Sequence, residues 1–136
     1  MKKALIIIVI LLVAIQFIPS KKTNPPATAE INAPNGVMAV FKRACYDCHS
    51  NETVWPWYSN VVPVSFLIES DVNEGRLNLN FSEWGNLSRK NKAKLKEEIW
   101  ELIEKGIMPL GKYLFLHPEA ELSNKDKHII QNWVGE

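Results

Sequence analysis

The chain has 136 residues, 46% of them hydrophobic, and its 16 Lys and Arg against 15 Asp and Glu leave a net charge of +1. That length leaves room for one domain beside an N-terminal segment, and a charge so close to zero removes the bulk attraction on which binding to nucleic acid or to anionic lipid relies. Part of the hydrophobic share sits in the first 18 residues, so the remaining core is small, and an apolar cofactor would add burial that the side chains alone do not supply.

Met1-Lys2-Lys3 forms a positive n-region, and Ala4 to Ile18 is apolar except for Gln16. The run matches a signal h-region and is short for a spanning helix, and without a polar face it does not read as a helix of a soluble core. We expect residues 1–18 to be an export signal or membrane anchor. An uncleaved anchor is preferred, because the small-residue site Ala27-Thr28-Ala29 lies far past the apolar run, with Pro19, Lys21 and Lys22 between. Residues 19–34 carry Pro19, Pro25, Pro26 and Pro34 among small and polar residues. That composition predicts an extended linker reaching roughly 50 Å, holding the following domain clear of a bilayer.

The domain is expected over residues 35–136. Asn35 is a good N-cap for a short helix with Val37, Val40, Phe41 and Ala44 on one face, running into Cys45. Residues 50–62 look irregular, since Trp55-Pro56-Trp57 does not suit a helix interior. Pro63 opens a second helix through Phe66, Leu67 and Val72, with its end expected near Gly75, and residues 78–86 read as loop. The clearest helix runs from about Ser88 to Lys105: Leu95, Ile99, Leu102 and Ile103 make its stripe and Gly106 its stop. Its Lys-rich first half and Glu-rich second half oppose the helix dipole, which pairs such as Lys94 with Glu98 offset. The last helix begins at Ser123, with Asp126 completing a capping box and Ile129, Ile130, Trp133 and Val134 on its inner side. With no period-two segment, the fold class predicted is all-α.

Cys45-Tyr46-Asp47-Cys48-His49 carries the chemistry. C-x-x-C-H spacing lets two thiols add to the two vinyl groups of haem while the adjacent imidazole reaches the iron. A thioredoxin-like dithiol needs a βαβ context, a zinc site needs further Cys, and a plain disulfide leaves His49 without a purpose. One covalent haem c, with His49 as proximal iron ligand, is the reading of these residues. Export agrees with it, because haem is attached to such motifs outside the bacterial cytoplasm.

From this motif onward the chain resembles the bacterial haem-binding domain family. The blocks run in order: Cys45 to Thr53, Trp55-Pro56-Trp57-Tyr58, Gly75-Arg76, Asn80 to Trp84, Met108-Pro109, and Leu116 to Ala120 followed by Leu122-Ser123. The resemblance spans about residues 36 to 134 and implies a haem site rather than a named reaction. Leu110 stands where a second proline often follows Met-Pro in the family. As in cytochrome c, an aromatic (Phe41) precedes the first Cys by one turn and another (Trp133) sits in the last helix, which implies that the first and last helices of the domain cross and pack.

For the sixth iron position Met108, in a loop before Pro109, is the first candidate and His117 the alternative; His128, within the last helix, is expected to face solvent. Trp57, Arg76 and Tyr113 are candidates for the haem environment. The function expected is one-electron transfer at the periplasmic face of the cytoplasmic membrane, with a redox partner protein and membrane contact through the N-terminal segment. No acid, base or nucleophile constellation points to an enzyme. The rival is a haem-based sensor of small ligands, or a peroxidase-like enzyme, with an exchangeable distal site.

Overall fold

The structure is a computed structural model and describes residues 2–135; Met1 of the charged n-region and Glu136 of the expected domain lie outside them. The described residues form α-helices joined by 3₁₀ turns, without a strand, as the all-α expectation requires. Beyond Lys2 and Lys3, helix α1 (Lys2–Ala14) is apolar on every side, and none of its residues is buried. Among the described residues no helix is long and apolar enough to cross a membrane.

Helix α2 (Asn35–Ala44) buries the expected stripe of Val37, Val40, Phe41 and Ala44. Asn35 is its first helical residue rather than its cap; Pro34 takes the cap position without a side-chain bond. The chain turns at Cys45 into the single-turn helix α3 (Tyr46–His49), and Pro63 then precedes α4 (Val64–Asn78). Helix α4 runs through Gly75 instead of stopping there. The glycine serves a contact, not a cap: a Cβ on Gly75 would lie 2.5 Å from the carbonyl oxygen of Cys48, so only glycine lets α3 rest on α4 at this distance.

Residues expected as loop also fold. Phe81–Asn86 form a 3₁₀ helix that buries Phe81, Ser82 and Trp84, capped by the Asn80 side chain accepting from the Ser82 N–H at 3.0 Å. Helix α5 (Arg89–Glu104) is capped by Ser88, whose hydroxyl accepts from the Asn91 N–H, and Gly106 follows in the left-handed region with φ +66°. The short helix α6 (Gly111–Leu114) leads to α7 (Asn124–Gly135). The capping box forms: the Ser123 N–H donates to Asp126 Oδ2 at 2.9 Å and the Asp126 N–H to Ser123 Oγ at 3.2 Å.

Helices α2 and α7 pack as expected. Phe41 stacks on Phe81 with centroids 4.5 Å apart and meets Trp133 edge-on at 5.4 Å, while Arg43 pairs with Asp126 across the two helices at 2.8 Å. Phe41 and Ile130 are fully buried at the centre of this core.

The proline-bearing segment departs furthest from expectation, because it lies along the domain instead of standing free. The Ala29 N–H donates to Ser82 O at 3.1 Å, the Ile31 N–H to Phe81 O at 2.8 Å and the Gly85 N–H to Ala29 O at 2.7 Å. Ile31 is buried, and the side chain of Asn51 donates to Pro26 O at 3.1 Å. Proline removes its own N–H but not its carbonyl, so an extended segment of this composition still offers acceptors and alternate donors to a partner. Here the partner is the 3₁₀ helix at residues 81–86.

Candidate functional site

Cys45 both ends α2 and starts α3, and its carbonyl accepts from the Cys48 N–H at 3.2 Å and the His49 N–H at 2.9 Å. One helical turn thus carries both thiols and the imidazole. Ser50 closes the turn: its hydroxyl donates to Tyr46 O at 2.7 Å and accepts from the Glu52 N–H at 2.9 Å. Cys45, Cys48 and His49 line a cavity of about 580 Å³ whose other walls include Phe41, Leu79, Phe81, Ile99, Leu102 and Met108. This volume lies within the range of roughly 300–1,000 Å³ typical of small-molecule sites.

The tautomer of His49 follows from its partners. Nδ1 lies 3.0 Å from Gly75 O and 3.1 Å from Leu79 O, and carbonyl oxygens only accept, so Nδ1 carries the hydrogen and Nε2 keeps the lone pair. Burial lowers the pKa of the imidazole and outweighs the two carbonyl bonds, which favour the charged form. A neutral ring held at Nδ1 by acceptors is the state in which histidine binds metal. Both cysteines are free thiols. Burial, with Cys48 adding to it, pushes the Cys45 thiol up to about 12, and burial with Asp47 pushes Cys48 up to about 11. Burial thus favours the protonated form of both thiols at neutral pH.

Met108 also lines the cavity. Once Gly106 has ended α5, the N–H groups of Ile107 and Met108 both donate to Leu102 O, at 2.9 and 3.1 Å, and this fixes the start of the loop. Tyr113 borders the cavity too, but its hydroxyl is committed to Asp47 Oδ2 at 2.8 Å, tying the loop after α5 to the cysteine turn.

Three other candidates lie away from the cavity lining. His117 has both ring nitrogens engaged, Nε2 with the Tyr58 hydroxyl at 2.6 Å and Nδ1 with Glu119 at 3.0 Å, and its ring stacks on Tyr113. Trp57 is 78% exposed. Arg76 spends its guanidinium on Ser50 O at 2.7 Å, Thr23 O at 2.8 Å, Asn24 Oδ1 at 3.1 Å and Thr53 Oγ1 at 2.9 Å, so it binds the proline-bearing segment to the cysteine turn instead of facing a cofactor. His128 is exposed, as expected.

Sequence reasoning missed the contributions of Asp47, Gly75 and Leu79. Asp47 accepts from the Val54 N–H at 3.0 Å as well as from Tyr113, and so braces the turn on which both thiols sit. The signal for Gly75 was its place next to Arg76 in a motif; Leu79 acts through its backbone and leaves no trace in residue type.

This site suits haem: the walls are largely apolar, one neutral imidazole keeps a free lone pair, a thioether stands on the same cavity, and two protonated thiols sit on the imidazole's own turn. Lys112 and Asp71, paired at 2.8 Å, both line the cavity, beside the carboxylates of Asp47, Glu74, Glu98 and Glu101. No curated protein and no solved structure matches the chain. A family profile described as a haem-binding domain matches residues 10–136. The chain belongs to the haem-binding domain family.

Proposed function

We propose that this protein is a one-electron carrier with a single covalent haem c, held by its N-terminal segment at the periplasmic face of a bacterial cytoplasmic membrane. The observation that carries the reading is His49, fixed through Nδ1 to Gly75 and Leu79 so that Nε2 is the free ring nitrogen, on the same turn as both thiols. Cys45 and Cys48 would hold the haem by adding S–H across its vinyl groups, a redox-neutral addition that leaves thioethers, and His49 and Met108 would supply the iron ligands. Haem, when bound, supplies the metal that gains and loses the electron; the chain supplies ligands, excludes water and sets the potential. The Met108 thioether on the cavity wall favours this carrier over a sensor with an exchangeable site.

Covalent attachment is read by mass spectrometry of denatured protein made together with a c-type maturation system. The wild type is expected to keep the added mass of one haem through acid-acetone extraction. Cys45→Ser and Cys48→Ser should each keep it through one bond and at lower yield, and the double variant should lose it. A wild-type mass equal to the polypeptide alone, where a control c-type cytochrome matures, overturns the reading.

A further inference from the structure

Gln16 is the one polar residue in the apolar run from Ala4 to Ile18, and it does not face water idly. Its Nε2 donates to Val62 O at 3.0 Å while the Val62 N–H donates to its Oε1 at 3.0 Å. The amide thereby clamps the end of the apolar segment to the start of α4, and the next residues stay in step with it: the Lys21 N–H donates to Glu69 Oε2 at 2.8 Å, and Lys22 bonds Asn60. Around the clamp the domain exposes a run of large apolar side chains. Trp57, Val61, Val64 and Leu67 are all exposed, Leu67 to 62%, and Val64 and Leu67 share a face of α4 at i, i+3 spacing. Phe17, next to Gln16, is 83% exposed.

We propose that this face sits in the boundary between headgroups and acyl chains of a lipid bilayer, oriented there by the Gln16–Val62 clamp. The inference rests on the anchoring reading above and adds what the anchor does to the domain. Continuity favours lipid over a protein partner or a second copy: the face adjoins the end of an apolar segment that buries no side chain of α1 against the domain. Length favours it too. The helical residues from Ala4 to Phe17 make about 21 Å of helix against a hydrocarbon thickness of roughly 30 Å, and a short span is accommodated by drawing its flanks into the interface. Aromatic residues such as Trp57 and Phe17 prefer that depth, and the exposed Lys21 lies beside it, where it can meet phosphate groups. Gln16 costs little inside such a segment because both ends of its amide are bonded. Along the same face of α4, Asp71 and Glu74 border the haem cavity, so the clamp would hold the cavity mouth at a set height near the membrane.

The test uses the full-length haem-loaded protein in vesicles of phosphatidylcholine and phosphatidylglycerol, doped with a phosphatidylcholine that carries a photoreactive diazirine on its acyl chain. Labelled peptides are mapped by mass spectrometry. Label is expected both in residues 4–18 and in residues 57–67. Leu67→Glu, at an exposed position, and Gln16→Leu, which removes the clamp, should leave the first label unchanged and reduce the second at least twofold. Label in residues 4–18 with none in 57–67 overturns this inference and leaves the anchor standing. Absence of label from both overturns the anchoring reading itself. Unchanged labelling of 57–67 in Gln16→Leu overturns the clamp.

Discussion

Met108 is the residue whose chemistry separates a carrier from a sensor. Sulfur is a soft ligand that stabilises ferrous over ferric iron, so a thioether raises the potential relative to imidazole. Met108→Ala is expected to abolish the weak long-wavelength ferric band of iron–thioether bonding, to let carbon monoxide bind the reduced protein, and to lower the potential by on the order of 100 mV, within the roughly 0.8 V that axial ligands command. Spectra and redox titration of the purified protein check this. His117 is the control, since its ring is already bonded to Tyr58 and Glu119. His117→Ala should cost about 1–2 kcal/mol of stability through lost hydrogen bonds and leave the spectrum unchanged. If instead Met108→Ala is spectrally silent and His117→Ala opens the iron, the site is bis-histidine.

At the scale of elements, the contact between α3 and α4 decides whether the site exists. Glycine inside a helix ordinarily costs up to about 1 kcal/mol relative to alanine, so Gly75→Ala on an open helix face would stabilise. Here the added methyl meets the Cys48 backbone at 2.5 Å, and backbone on both sides gives little room to yield. The substitution should therefore destabilise by about 1–3 kcal/mol, the range for overpacking. It should also loosen the Nδ1 bond of His49 to the Gly75 carbonyl. Urea unfolding reads the first effect and a changed proximal-ligand spectrum the second; a more stable Gly75→Ala protein with the wild-type spectrum would falsify this account of the glycine.

On the whole molecule, the boundary of the folded unit lies earlier than the proline content suggests. Ile31 is buried, and the backbone of residues 29–31 bonds the 3₁₀ helix that carries Phe81 and Trp84. A protein beginning at residue 19 should fold, whereas one beginning at residue 35 loses those bonds and the burial of Ile31. Burial of a side chain of that size is worth about 1.5–3 kcal/mol, so the shorter form should be less stable by about 2 kcal/mol or more. Denaturant titration of the two haem-loaded forms measures the difference, and equal midpoints would return residues 19–34 to the status of a free tether.

The local features were legible in the residues themselves. C-x-x-C-H spacing marks two thiols and an imidazole because all three fall on one turn, the 3.6-residue stripes of α2, α5 and α7 mark buried faces, and Ser123 with Asp126 marks a helix start, since each depends on neighbours a few positions away. What needed the tertiary structure was whatever depends on a distant backbone. The carbonyls of Gly75 and Leu79 choose the tautomer of His49, and no residue type announces a carbonyl. Gly75 reads as a helix stop until Cys48 is set against it. Arg76 reads as a candidate for the haem environment until Ser50, Thr23, Asn24 and Thr53 take its donors. The prolines of residues 19–34 suggest a free chain until the acceptors at Phe81 and Ser82 arrive from fifty residues away. Hydrophobic period and motif spacing are written within a few residues, whereas the pairing of buried polar groups is decided only when the chain folds back on itself.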